Sequence, residues 1–299
     1  MTAFSAIDLS QLPPPQVVEP LGYEAILAAM KADLIRRDAS LEAALALESE
    51  PLTKLLEVCA YRELLIRQRV NDAARGVLLA HATGADLDNL AALFGVARQV
   101  VDAGDSEARP PVPPTHEADD RLRRRVQLSL EGHSTAGPIG SYVFWGLSAS
   151  PAVKDIAVTS PAPGQVQVAV LSAEGDGTPS STLLDTVTAA LNHEDVRPLT
   201  DRVAVRAAEI IPYRIYARLI IDSGPDGEVV REAAEQAVQG YVAAHHTLGR
   251  DITLSGIYAA LHQPGVQKVT LTSPQADIEC ASHQAAHCSA VTVTAEGSA

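Results

Sequence analysis

One line of this sequence is written twice, and it constrains the fold more than any other feature. Residues 150–160 read SPAVKDIAVTS and run on into PAPGQVQVAVLS, while residues 263–274 read QPGVQKVTLTSP. Pro151, Val153, Ile156, Val158 and Thr159 thus recur as Pro264, Val266, Val269, Leu271 and Thr272, and at the same offset Phe144 and Trp145 meet Ile257 and Tyr258. A catalytic motif rarely needs copying, whereas a building unit often does. Helical patterns precede each copy, at residues 117–131 and 139–148 for the first, and at 228–244 and LSGIYAALHQ for the second. Val166, Val168 and Val170 alternate as a half-buried strand should, so the first copy is expected to close a hairpin through SPAPG. The same reading gives the second copy a hairpin through SPQAD to a strand near 277–280, with a last strand at AVTVTA. TPSSTLLDTVTAALN reads as a capped helix, Val203 and Val205 as a strand, and Ile215, Ala217, Leu219 and Ile221 as a longer one. The expectation is an α+β fold with two small related units, 117–213 and 214–299.

Ahead of these units the period is helical. Residues 1–20, with QLPPPQ, form an extended lead-in, and residues 21–97 a helical region. A first helix is expected from Tyr23 to about Leu47, interrupted near RDAS. A second begins after ESEP, where Pro51 suits a first turn and Ser49 or Glu50 can serve the free amides. Alternating steps of four and three from Leu52 give Leu56, Cys59, Glu63, Ile66, Val70, Ala73, Val77 and Ala80, an apolar seam broken only at Glu63. A second stripe of Leu55, Val58, Tyr61 and Leu65 widens the face, so this helix wants more than one neighbour. Either an internal helical domain or a bundle between subunits meets that need; the second assigns Leu52, Leu56, Cys59, Glu63, Ile66, Val70, Ala73 and Val77 to a subunit interface, with Glu63 paired to an arginine of a neighbouring helix. A short helix follows in ATGADLDNLAALFGV, and ARPPVPPT marks residues 98–116 as a proline-rich linker.

Function classes can be excluded from the totals. A formal net charge of −14 repels phosphate backbones, so nucleic acid is a poor partner. No apolar run reaches the roughly 18 residues of a membrane span, and no secretory leader is read at Met1, so synthesis in the cytoplasm is expected. Three cysteines do not make a disulfide framework. No P-loop, G-x-G-x-x-G, H-E-x-x-H or G-x-S-x-G occurs. GDG at Gly175–Gly177 reads as a turn. RLRRR, Arg121 to Arg125, follows EADD and reads as a solvated or partner-facing charged face rather than a phosphate patch. His245 and His246 end a helix, where imidazoles need no function. Cys280, His283, His287 and Cys288, in CASHQAAHC, have ligand types that could hold zinc, yet as a loop between strands they are expected to bind no metal.

Read in order, LESEPLTKLLEVCAYRELLIRQRVNDAARGVLLAHATGADLDNLAALFGV, DDRLRRRVQLSLEGHSTAGPIGSYVFWGLSASPAVKDIAVTSPAPGQVQVAVLS, GDGTP, VRPLTDRVAVRAAEIIPY and PGVQKVTLTSP resemble the baseplate J-like family of contractile phage tails. The resemblance implies a non-catalytic structural subunit of the baseplate wedge, without cofactor, in a phage or a headless bacteriocin tail. It implies assembly with a sister wedge protein (baseplate protein I-like) and with further copies of itself, in a ring around the central hub or spike, near a sheath-initiating baseplate protein. The competing reading is a tail-associated metal-dependent hydrolase built on Cys280, His283, His287 and Cys288.

Overall fold

The computed structural model describes residues 7–13, 15, 21–134, 136–222 and 226–297, so most of the expected lead-in lies outside the described residues. The fold is α+β, and the chain divides into two compact units, Ile7–Ala97 and one holding Arg98–Ala299.

The first unit is helical. α1 (Tyr23–Arg37) stops at Asp38, whose carboxylate accepts the Ser40 N–H at 3.0 Å and starts a single 3-10 turn over Ala39–Leu41. This Asp–Ser capping turn is the interruption expected at RDAS. α2 (Glu42–Leu45) leads into α3 (Pro51–Gly76), which opens on proline as expected, although its cap residue Glu50 makes no side-chain capping bond. α1 and α2 pack against α3 on the stripe of α3 that buries Thr53, Ala60 and Asn71. Those small and medium side chains let the backbones approach. α3 ends earlier than the apolar seam suggested: Val77 is its C-cap residue and Ala80 lies in a turn. Its last residue, Gly76, leaves room for the Asp86 carboxylate of α4 (Gly84–Ala92), since a Cβ there would stand 2.8 Å from that oxygen.

The second unit begins with local structure inside the expected linker. β1 (Val100–Asp102) pairs antiparallel with β2 (Thr115–His116), and an Asp105–Val112 bridge extends the ladder. α5 (Asp119–Gly132) and α6 (Ile139–Ala149) pack together, and α6 lies on β3 (Val153–Ala162). β3 turns through Pro163 and Gly164 into β4 (Gln165–Ser172), the expected hairpin. Gly164 sits at φ +71, where a side chain would be strained. α7 (Ser181–Leu191), capped by Ser180 Oγ accepting from the Leu183 N–H, crosses over to β5 (Arg202–Ala207), which lies parallel to β4. The sheet order is β3-β4-β5.

At Ala208 the chain passes straight from β5 into β6 (Glu209–Ile221), the centre of a second sheet. α8 (Gly227–His245) and α9 (Leu254–Leu261) follow, then β7 (Val266–Ser273) and β8 (Gln284–Gly297). β6 alternates strictly along its second half, burying Tyr213, Ile215, Ala217, Leu219 and Ile221 in one core with Val230, Ala234 and Val238 of α8 and Ile257 and Leu261 of α9. The order is β7-β6-β8, with β7 antiparallel and β8 parallel to β6. The second hairpin expected through SPQAD is therefore wrong: β6 lies between β7 and β8. Residues 277–280 are no strand of that sheet because their polar groups serve α9 and the loop before it. Asp277 accepts the Leu254 N–H at 2.6 Å, the Cys280 N–H donates to Asp251 at 2.7 Å, and Ile278 bridges only to Ile252.

Candidate assembly interface

On α3 the packed stripe and the predicted seam are neighbours, roughly 100° apart around the helix. α1 and α2 cover the first and leave the second open. Leu52, Leu56 and Glu63 are half-exposed, and Cys59, Ile66, Val70, Ala73 and Val77 are exposed, Ile66 to 65% and Val70 to 50%. The accessory stripe is open as well: Leu55, Val58, Tyr61 and Leu65 all stand in solvent. Six large apolar side chains of one helix, and Val77 at its C-cap, thus remain uncovered by the chain itself, far more than the scattered singletons of an ordinary surface. Glu63 does not wait for a partner helix. Within the chain Arg67, one turn on, donates to its Oε1 through Nε at 2.9 Å and through a terminal nitrogen at 2.6 Å. The reason is spacing: residues four apart share a helix face.

The RLRRR run is not a solvated face. Glu117, its side chain fully buried, sits between Arg121 and Arg125, with Arg125 Nη1 2.5 Å from one carboxylate oxygen and Arg121 Nε 3.1 Å from the other. Arg121 also donates to the carbonyls of Leu147, Ser150 and Val153, closing the end of α6 and the start of β3 onto α5. Burial pulls the Arg121 guanidinium below its usual range, and Glu117 opposes that. Glu117 further accepts the Gln99 N–H at 2.9 Å, which roots the β1–β2 ladder. Arg124 pairs with the buried Asp155 at 2.7 Å, whose other oxygen accepts the Leu248 N–H at 3.0 Å. Glu117 was missed as a key residue: it stands just ahead of α5, although a glutamate followed by arginines four and eight positions later already has the spacing that brings such groups together.

Cys280, His283, His287 and Cys288 do not form one loop tip. His287 and Cys288 lie within β8, paired opposite Pro212 and Tyr213, because the strand already starts at Gln284, opposite Glu209. His283 Nε2 is 3.5 Å from Glu209, His287 meets the His246 ring edge-on, and the Cys288 thiol donates to the Ala290 carbonyl. Burial raises both thiols above their ordinary range. Among the described residues, no three His, Cys, Asp or Glu side chains converge in a way that could hold a metal ion. No helix among them is long and apolar enough to cross a membrane.

Residues 48–105 match the Baseplate J-like N-terminal domain, 134–207 the Baseplate J-like central domain, and 213–294 the Baseplate J-like protein C-terminal domain. Baseplate protein J of Escherichia phage P2 is 49% identical over 297 residues, which covers 98% of this chain and 98% of that protein. A chain in the cryo-EM structure of the anti-feeding prophage (AFP) baseplate, 6-fold symmetrised, is 15% identical with a TM-score of 0.43, over 60% of this chain and 44% of that chain. With the three family models and a relative 49% identical over 98% of its length, the chain belongs to the baseplate J-like family.

Proposed function

We propose that the chain is a structural subunit of a contractile-tail baseplate, built into the wedge through α3. The single observation that carries the reading is the uncovered apolar face of that helix, in a chain whose family is named for the baseplate. Leu52, Leu56, Cys59, Ile66, Val70, Ala73 and Val77 form the seam of a bundle with helices of other subunits, and the Glu63–Arg67 pair rides at its border. The partners are a baseplate protein I-like sister subunit and further copies of the chain, which join into a ring around the tail hub. The α+β unit, whose first half is tied by the Glu117 network, supplies the ring contacts. No reacting group is assigned, and the hydrolase alternative has no specific observation in its favour. Deleting the chain from a particle-producing strain should give tails without baseplates by electron microscopy, and supplying it in trans should restore them. Intact baseplates in the deletion would overturn the proposal.

A further inference from the structure

The two sheets of the α+β unit meet at a junction that no part of the assembly reading uses. Its apolar floor is Leu171, Ala208 and Ala285, with Ile210 and Leu248 against them. The Leu248 N–H donates to Asp155 across it, while the Ala208 N–H to the Val170 carbonyl and the Glu209 N–H to the His283 carbonyl close the ends of the two sheets on either side. At the rim stands His246, the C-cap residue of α8.

The half-buried ring of His246 is held from three sides. Its Nδ1 is 2.8 Å from the Ala286 carbonyl oxygen, and a carbonyl can only accept, so Nδ1 carries the hydrogen. The His287 ring of β8 meets it edge-on with centroids 5.3 Å apart. On the far side Gly177, at φ +98, comes so near that a Cβ there would stand 2.9 Å from Nε2. Nε2, where a second proton must go, therefore faces a backbone and has no acceptor among the described residues.

Charged and titratable groups surround it. β3 contributes Lys154 and Asp155, but Asp155 is engaged by Arg124 and Leu248. The loop after β4 contributes the exposed Asp176, and β8 contributes His287. On its own helix, His245 bonds to the Tyr241 carbonyl and faces Arg250. A proton on Nε2 would thus sit half-buried beside an ammonium and a second imidazole, with Asp176 as the counter-charge. Burial, first, and then Lys154 and His287 hold the imidazole below its ordinary range, against the opposing Ala286 bond and Asp176.

We infer that His246 is a proton-sensitive latch between the two sheets: the neutral ring closes the junction, and the imidazolium opens it. The sign follows from linkage. A histidine freed by opening takes up its proton near pH 6.5, whereas the closed junction takes it up only at lower pH. Closure is therefore fully favoured above about pH 6.5 and weakens as pH falls below it, by up to about tenfold per pH unit for one such group.

Hydrogen exchange read by mass spectrometry tests this on the full chain. Peptides carrying the Leu248 and Ser172 amides are followed from about pH 7.5 to about pH 5, with rates corrected for the intrinsic pH dependence of exchange. The expected result is an opening fraction that rises below about pH 6.5 by up to about tenfold per unit in the native chain and stays flat in His246→Gln. Lys154→Met keeps the histidine and removes the nearest like charge, so its rise should be shallower; it also gives a reading if His246→Gln does not fold. A flat profile in the native chain, or the same rise in His246→Gln, overturns the inference. So does a rise abolished by His287→Gln but kept in His246→Gln.

Discussion

Leu219 on β6 and Ile66 on α3 are near-equal apolar side chains in opposite settings. Leu219 is fully buried beneath α8, and Ile66 is 65% exposed. The sheet's alternation fits what the chain can cover: one face of β6 points inward, and two helices seal it. The apolar face of α3 is wider than α1 and α2 can cover, since they occupy only the stripe of Thr53, Ala60 and Asn71. An amphipathic pattern matched to its own chain makes a core, and one that exceeds its own chain makes a surface for others.

If that contrast is right, stability losses should be steep in the α+β unit and nearly absent on α3. Glu117→Ala should cost most, about 3–5 kcal/mol in urea unfolding, because it leaves Arg125 and Arg121 buried without their carboxylate. A loss below about 1 kcal/mol would mean that the arginines find water instead. Leu219→Ala should follow, at about 2–5 kcal/mol set by the cavity left in the sheet–helix core. Ser180→Ala removes the cap of α7 and should lower stability by about 1 kcal/mol, read as a shift in urea midpoint at unchanged slope. Smallest of all, Ile66→Ala in the isolated chain should change stability by no more than about 0.5 kcal/mol, where a buried isoleucine would lose several times that. A large loss from Ile66→Ala would erase the contrast.

Much of this was legible in the sequence, for physical reasons that also explain the failures. The seam of α3 could be read because helical period is local, and so could the hairpin at Pro163–Gly164, which is fixed by its own turn residues. The repeat correctly marked a helix running into an edge strand, α6 into β3 and α9 into β7. It did not mark the centre of the second sheet, because β6 comes before its helices and the pairing β7-β6-β8 joins segments far apart in the chain. The first half of β8 was hidden by its composition: QAAHCSA has none of the β-branched residues that announce a strand. The arginine run was misread because a helix pattern gives spacing but not burial. Only the fold reveals that Glu117, Arg121 and Arg125 point inward.

The claim that the open face of α3 is an interface between subunits is tested most directly by one size measurement. The chain carrying Val70→Asp is co-expressed with its baseplate protein I-like partner, purified, and compared with the native pair by size-exclusion chromatography, with circular dichroism as a check on folding. Val70 is half in solvent in the isolated chain, so the aspartate should be tolerated there and intolerable only when a partner helix covers it. The account predicts a folded Val70→Asp chain that elutes alone while the native chain elutes in a larger complex. A normal complex from Val70→Asp would contradict it.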